Sequence, residues 1–326
     1  MNPTTTTNSP PSPAELHRAM GAGDPAALAD AWQVSRHLWP MLRALGYESG
    51  YLGGRGANSD ALAGRAPHLR PAGAPPGYLA FVAVVPNAAM HDRIRLHHQG
   101  ADLPRLAEHR GQLGVVLQDV PFKQTRTTPE NARALAGYGT KVLTEGIVLA
   151  TRGGISVSLV HPQVLDSPDP TGRKNLARQA DLVGALRVPP RPSPDGLGMP
   201  FDVVLLRRRP TGARSTGHPF TDISLVPLDE KLVTTNEYFA AHPEHVLGPV
   251  LSRSEGPMLL APVADRTRLG QRMQEVFTRI GGAATQHGLT APGFLRTPTP
   301  DPARTSSMPG AIDHGERPDP SSSLRL

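Results

Sequence analysis

The chain has 326 residues, of which 36 are Pro and 33 are Gly, so these two residue types make up roughly a fifth of it. It contains no Cys, only 4% of its residues are aromatic, and its formal net charge is +6. This composition excludes a disulfide-bonded scaffold, a thiolate metal site, a Cys nucleophile, a coiled coil and a collagen. The positive charge favours an anionic partner such as nucleic acid, although an Arg-rich background composition explains it equally well.

The two ends of the chain are predicted to be disordered. Residues 1–13 and 290–326 are rich in Thr, Pro and Ser and have little apolar surface to bury. The first segment has no basic region or apolar core typical of a secretory signal, and no stretch reaches the ~20 apolar residues of a membrane helix. We therefore expect one α/β domain over 14–289, with a helical extension over 251–289, a cytoplasmic location and no membrane partner.

Helix and strand patterns alternate between these tails. The predicted helices cover 25–46, 88–98, 129–138, 171–179 and 266–280. The predicted strands cover 50–54, 79–85, 114–118, 146–151, 182–188 and 201–206. Apolar, non-alternating strands separated by helices indicate a mostly parallel sheet that is covered on both faces. A Pro-rich loop, and not a helix, joins the last two strands, which predicts an antiparallel pair at one edge.

A Gly-rich turn follows the first predicted strand. It contains Gly53, Gly54 and Gly56 and precedes an Ala- and Leu-rich segment. Glycines at a strand-to-helix turn let the backbone approach a ligand, and the helix N-terminus supplies free N–H groups. At the end of the next strand stands Asn87, where a carboxylate usually binds the ribose of a nucleotide cofactor. The pattern indicates a cofactor loop, and the alternative is an ordinary loop in a glycine-rich chain.

A second turn whose residues could bind a ligand follows the strand at 114–118. It reads Asp119-Val120-Pro121-Phe122. The carboxyl ends of strands are where doubly wound sheets bind ligands, and a carboxylate beside a backbone carbonyl offers two acceptors to an amino group. The aromatic ring offers a face on which a base can stack. The alternative is a plain turn that ends a strand, with Phe122 in the core.

Three stretches of the chain resemble the adenine-N6 DNA methyltransferase domain of the methylase–helicase proteins found on plasmids, phages and conjugative elements. The first, GVVLQDVPF at 114–122, is similar to that family's strand ending in Asn-Val-Pro-Phe. The second is the strand–loop–helix–strand pattern over 145–188. The third covers 201–250 and contains FDVVLLRRRP followed by NEYFAAHPEHVLG at 236–248. A weaker match covers 26–66. The resemblance implies a doubly wound, mostly parallel seven-stranded α/β sheet of the AdoMet-dependent methyltransferase, Rossmann-like, type.

The resemblance also implies roles for individual residues. Asp119 and the Val120 carbonyl would hold the amino group of a flipped adenine, Pro121 would stiffen the turn and Phe122 would stack on the base. The cofactor would be S-adenosyl-L-methionine (AdoMet). The residues expected at it are Gly53, Gly54, Gly56 and Asn87. The expected partners are DNA and a separate target-recognition or helicase subunit, because no target-recognition domain is evident.

The chain also departs from the family pattern. Tyr51 and Leu52 precede the first glycine where the family usually has an acidic residue, Lys123 follows Phe122 in place of a small residue, and the helicase half is missing. These differences keep a second hypothesis open, namely a catalytically inactive methyltransferase fold that binds DNA or a protein as an accessory component of a mobile element. A nucleotide-dependent oxidoreductase is a poorer third, because it does not explain 236–248.

Other polar groups receive structural interpretations. His91, His97 and His98 lie close in sequence, but without a Cys or Glu pattern no metal site is expected there. The run Arg207-Arg208-Arg209 ends a strand, where it either contacts phosphates or is solvated. The segment 236–239 is expected to cap and pack a helix, and the amphipathic segment 266–280 is expected to pack on the core.

Overall fold

The structure is a computed structural model, and it describes residues 25–47, 51–55, 62, 80–86, 94–97, 110–111, 113–119, 129–192, 200–228, 231–251 and 256–292. The helices in it are α1 (Pro25–Ala44), α2 (Pro129–Leu149), α3 (Gln163–Asp166), α4 (Thr171–Ala177), α5 (Glu237–Ala241) and α6 (Arg266–Gln286), with a 3₁₀ turn at Pro243–His245. The strands of the main sheet are β1 (Tyr51–Arg55), β2 (Ala80–Pro86), β3 (Ile94–His97), β4 (Leu113–Asp119), β5 (Ala150–Val160), β6 (Ala180–Val188) and β7 (Phe201–Arg208). Short strands follow at β8 (Ile223–Leu228), β9 (Lys231–Asn236), β10 (Val250–Leu251), β11 (Gly256–Pro257) and β12 (Leu259–Leu260).

The main sheet is mixed, with its strands in the order β3-β2-β1-β4-β5-β7-β6. Strand β1 pairs in parallel with β2 and with β4, and β4 pairs in parallel with β5. Strand β7 runs antiparallel to both of its neighbours, β5 and β6. The predicted antiparallel pair at one edge is therefore confirmed. At the opposite edge β3 runs antiparallel to β2.

Helices cover both faces of the described sheet. In β7, Val203 and Leu205 belong to the core cluster that contains α1 and α6, whereas Val204 and Leu206 belong to the cluster that contains α2, α3 and α4. Successive residues of a strand point to opposite faces, so these two clusters lie on opposite sides of the sheet. The predicted alternation of helices and buried strands is confirmed for this part of the chain.

The C-terminal helix α6 packs on the core as predicted. The Asp265 carboxylate accepts a hydrogen bond from the Arg268 N–H at 2.9 Å and so caps its N-terminus. Its buried residues recur at helical spacing: Leu269, Met273, Val276, Phe277, Ile280 and Ala284. A Cβ at Gly184 of β6 would lie 2.8 Å from Ile280, so the absence of a side chain there lets the helix approach the sheet.

Two predicted elements are wrong. The segment predicted as a strand at 146–151 is helical to Leu149, and β5 begins only at Ala150. Its run of β-branched residues resembles a strand, but Val142, Leu143 and Ile147 bury one helical face against the sheet. Within the helix predicted at 88–98, residues 94–97 form strand β3, since Ile94 and Leu96 alternate with polar residues at the period of a strand. The rest of that segment lies outside the described residues.

Candidate functional site

The predicted cofactor turn and the predicted base-binding turn belong to neighbouring parallel strands. In the β1–β4 register, Gly53 is paired with Val116, Gly54 with Leu117 and Arg55 with Gln118. Asp119 is the last residue of β4, one position beyond Gln118. Parallel strands end at the same edge of a sheet, so Gly53 and Gly54 approach the edge at which Asp119 stands.

This edge is a topological switch point. Strand β1 lies between β2 and β4, so the chain after β1 first adds a strand on one side and then, with β4, a strand on the other. Open α/β sheets bind ligands in the crevice that forms at the carboxyl ends of the strands at such a point. Of the predicted site residues, Gly53, Gly54 and Asp119 are placed there by the backbone. Gly56, Asn87, Val120, Pro121 and Phe122 lie outside the described residues.

A buried hydrogen-bond network holds the end of β4 just before Asp119. The Gln118 side-chain oxygen accepts hydrogen bonds from the hydroxyls of Ser156 and Ser158, both at 3.0 Å. The Gln118 amide donates to the Val142 carbonyl of α2 at 2.9 Å. A Cβ at Gly146 would collide with the Gln118 side chain, so only glycine lets α2 pass this close. The network therefore links the strand that carries Asp119 to β5 and to α2.

A basic cavity of about 360 Å³ lies between α2 and α4. Its cationic lining residues are Arg133 and Lys141, both exposed, and Arg173, which is only 1% exposed. The Arg173 Nε donates to the Thr221 carbonyl at 2.9 Å, while its two terminal nitrogens are buried without a hydrogen-bond partner. Asp169 supplies a negative charge at the same cavity. The positive excess suits an anionic group, and sequence reasoning did not identify this cavity.

The segment at 236–248 packs against a buried ionic cluster. Arg187 of β6 donates to both carboxylate oxygens of Asp202 at 2.7 and 2.8 Å and to Asp166 at 2.7 Å. Asp166 also accepts from the Asn236 backbone N–H at 2.9 Å, and the Asn236 side-chain oxygen caps α5 through the Tyr238 N–H at 3.1 Å. The Arg187 guanidinium lies 4.4 Å from the ring centre of Phe239. The expected capping and packing role of 236–239 is confirmed.

The basic run 207–209 has a structural role that differs from both sequence interpretations. Arg207 donates to the Thr290 carbonyl at 3.0 Å, and Arg208 donates to the Ala150 carbonyl at 2.6 Å. Arg209 forms an ion pair with Asp181 at 2.7 Å. These side chains satisfy carbonyls and a carboxylate at the end of the sheet, so they are neither free phosphate ligands nor simply solvated.

A cluster of imidazoles forms where 218, 242–245 and 287 meet. The His218 ring centre lies 4.9 Å from that of His242 and 5.9 Å from that of His287, and His242 stacks on His245 at 5.1 Å. Burial lowers the pKa of His218 and of His245 to about 4, so both are neutral near pH 7. The sequence does not indicate this group, because residues separated by up to 69 positions come together only in the fold. The separately examined His91 and His98 lie outside the described residues.

A His161→Asn variant should lose less stability in acid than the wild-type protein. His161 is 5% exposed, its Nδ1 accepts the Gln163 N–H at 3.1 Å, and burial lowers its pKa to about 4. An unfolded His binds a proton near pH 6.5. Between pH 6.5 and 4 the unfolded state therefore binds more protons than the folded state. The free energy of unfolding falls as the pH falls, by at most ~3 kcal/mol for this group.

Urea unfolding at pH 7.5 and 5.0 measures this effect. The Asn oxygen can accept the same N–H without taking up a proton, so the difference between the two pH values should shrink in the variant. An equal loss of unfolding free energy in both proteins would show that His161 does not contribute to the acid sensitivity.

Comparisons with known proteins return distant structural similarity only. No protein-family model and no curated protein matches the chain. The chain is similar to a putative class I AdoMet-dependent methyltransferase from Listeria monocytogenes, with 13% identity and a TM-score of 0.36 over 56% of this chain and 61% of that one. It is also similar to the methyltransferase subunit of a type I restriction-modification system from Streptococcus thermophilus, with 13% identity and a TM-score of 0.33 over 54% of this chain and 44% of the subunit.

A third similar structure is the M protein of the type I restriction enzyme EcoKI, with 12% identity and a TM-score of 0.34 over 78% of this chain and 72% of that protein. The chain spans about three fifths of the length of the Listeria protein. Within the described part of the chain, no helix has the length and apolar character needed to cross a membrane.

Proposed function

We propose that this chain is an AdoMet-dependent methyltransferase that acts on the N6 amino group of adenine in DNA, with a fold of the doubly wound, seven-stranded AdoMet-dependent methyltransferase type. One observation carries the proposal. The Gly-rich end of β1 and Asp119 at the end of β4 flank the switch point of the sheet, where open α/β sheets bind their ligands. The resemblance of 114–122 to adenine-N6 methyltransferases suggests the chemistry, and that of 236–248 supports kinship with the same family.

The residues of the turn at 119–122 suit an exocyclic amine. The nitrogen lone pair of an aromatic amine is delocalised into the ring. Hydrogen-bond acceptors for the two N–H groups favour a pyramidal, sp³-like nitrogen, whose lone pair can then attack the methyl group. In the proposal the Asp119 carboxylate and the Val120 carbonyl accept hydrogen bonds from the two N–H groups of the adenine amine, while Phe122 stacks on the flipped base. Positioning and electrostatic stabilisation then account for the rate, and no covalent nucleophile is required.

The residue types near β1 fit AdoMet in part. In the proposal, Gly53, Gly54 and Gly56 let the cofactor approach the backbone because glycine has no side chain, and the Asn87 amide would hydrogen-bond a ribose hydroxyl. Bound AdoMet would supply an electrophilic methyl group. Asn87 stands at the position where nucleotide-binding sheets usually have an acidic residue. The absence of a carboxylate there predicts weaker cofactor binding.

DNA as substrate is consistent with the charge of the chain. The net charge is +6, and the cavity between α2 and α4 presents Arg133 and Lys141 to solvent. Helix α2 follows β4 and therefore begins on the side of the sheet at which Asp119 stands. Arg133, which lies in the second turn of α2, can neutralise a phosphate near that edge. The proposal includes a separate target-recognition or helicase subunit and a cytoplasmic setting.

Calorimetry of the full chain with AdoMet and with its demethylated product should detect binding of one molecule per chain. A Gly54→Val variant should weaken this binding at least tenfold, because the new side chain enters the space beside the β1 backbone. Gly137→Val in α2 is the matched control, since Gly137 is exposed and a Cβ there meets nothing within 4 Å.

Absence of binding at millimolar AdoMet would overturn the enzymatic proposal. It would favour the inactive methyltransferase fold, which would then be examined for DNA binding without the cofactor. Equal weakening by Gly54→Val and Gly137→Val would place the cofactor away from β1.

A further inference from the structure

Three metal-ligating side chains converge within one short turn. The His242 Nδ1 and the His245 Nε2 each lie 3.5 Å from the same Glu244 carboxylate oxygen, Oε1. One ligand atom from each of the three residues lies within 4.8 Å of the others. In a tetrahedral site with bonds of about 2.0–2.2 Å, two ligand atoms are about 3.3–3.6 Å apart. Two of the three separations are thus already close to that value.

The remaining separation, between the ligand nitrogens of His242 and His245, can shorten without disturbing the core. The side chains of His242 and Glu244 are 29% and 39% exposed, so they can rotate, whereas that of His245 is 5% exposed. The 3₁₀ turn over Pro243–His245 fixes the spacing of these residues along the backbone. One ligand is therefore held in place and two can adjust to an ion.

A buried phenol orients the fixed imidazole. The Tyr238 hydroxyl lies 2.7 Å from the His245 Nδ1, and Tyr238 is 1% exposed. Metal-bound histidines generally donate the N–H of their other ring nitrogen to such a partner, which sets the tautomer and the ring orientation. With Nδ1 donating to the phenol oxygen, the Nε2 lone pair of His245 is directed to the side on which Glu244 lies.

We propose that His242, Glu244 and His245 form a binding site for a divalent first-row transition ion, with Zn²⁺ as the best match. Two imidazoles and one carboxylate are a ligand set that Zn²⁺ accepts, and Mg²⁺ and Ca²⁺ prefer oxygen ligands alone. With three protein ligands, a fourth position stays open to water or another ligand. The imidazole of His218 lies beside that of His242, with ring centres 4.9 Å apart, and the ring centre of His287 lies 5.9 Å from that of His218. The site is independent of the proposed methyl transfer.

Calorimetric titration of the chelator-treated full chain with ZnCl₂ should show binding of one ion that His242→Ala weakens at least tenfold. Glu244→Gln should also weaken it, because the amide is a poorer ligand than the carboxylate. Tyr238→Phe keeps the packing of the ring and removes the hydroxyl, so it should weaken binding about tenfold. Zn X-ray absorption should detect two imidazole ligands in the wild-type protein and one in His242→Ala.

His314→Ala, in the segment 290–326, serves as the control for the loss of one histidine. Circular dichroism verifies that each variant folds. Unchanged Zn²⁺ affinity in His242→Ala would overturn the proposal, as would absence of imidazole ligands in the absorption spectrum. Failure to bind Zn²⁺, Co²⁺ or Ni²⁺ at ~100 μM would overturn it as well. None of these results depends on AdoMet binding, so they are separable from the proposed enzymatic function.

Discussion

An Asp119→Ala variant should bind AdoMet with nearly unchanged affinity and transfer methyl groups to DNA about 100-fold more slowly or worse. In the proposed site the Asp119 carboxylate contacts the amino group of the base and not the cofactor, so its loss removes stabilisation that develops as the amine becomes nucleophilic. Removal of one such preorganised group typically lowers the rate by ~10²–10³-fold. Single-turnover transfer of a labelled methyl group to adenine-containing DNA measures the effect.

Asp119→Asn is the matched variant. The resembling family has Asn at the corresponding position, and its side-chain oxygen remains an acceptor, so this variant should retain measurable transfer. If Asp119→Ala abolished AdoMet binding instead, the base pocket would lie elsewhere and Asp119 would belong to the cofactor pocket. If Asp119→Ala and Asp119→Asn were equally inactive, the carboxylate charge, and not the hydrogen-bond geometry, would be required.

An Arg187→Met variant should lose about 3–5 kcal/mol of unfolding free energy. Arg187 is fully buried and bridges Asp202 and Asp166, each at 2.7 Å. Its removal leaves two buried carboxylates without their cation, and it also removes the guanidinium that lies over the Phe239 ring. Urea unfolding of the purified protein near neutral pH measures the loss.

Arg191→Met provides the comparison at a partly exposed ion pair. The Arg191 side chain is 27% exposed and lies 2.7 Å from Asp30, so its removal should cost no more than ~1 kcal/mol. Similar losses in the two variants would show that burial does not amplify the Arg187 interactions. The double variant Arg187→Met/Asp202→Asn tests the cause of the loss. If it recovers the unfolding free energy that Arg187→Met loses, the uncompensated Asp202 carboxylate is the main cause.

Local patterns predicted most strands of the main sheet and the longer helices, but not α3 or the short strands β8–β12. The strand at 114–118 is observed as β4, and the polar helix at 171–179 is observed over Thr171–Ala177. Such elements follow from the period of apolar residues and from turn-forming Gly and Pro, which act within a few neighbours along the chain. The strand prediction is wrong at 146–149 because a short apolar run with β-branched residues is compatible with either a helix or a strand. Only its packing against Gln118 and the sheet selects the helix.

By itself the sequence determined the alternation of helices and strands, the antiparallel edge pair and the two turns that the proposal places at the ligand. Glycine, proline and apolar spacing encode these features locally. The tertiary structure alone decided that Arg187, Asp166 and Asp202 share one buried cluster, and that the short turn with His242, Glu244 and His245 lies beside the distant His218, itself next to His287. Such contacts depend on strand order and helix packing, which no local pattern in the chain specifies.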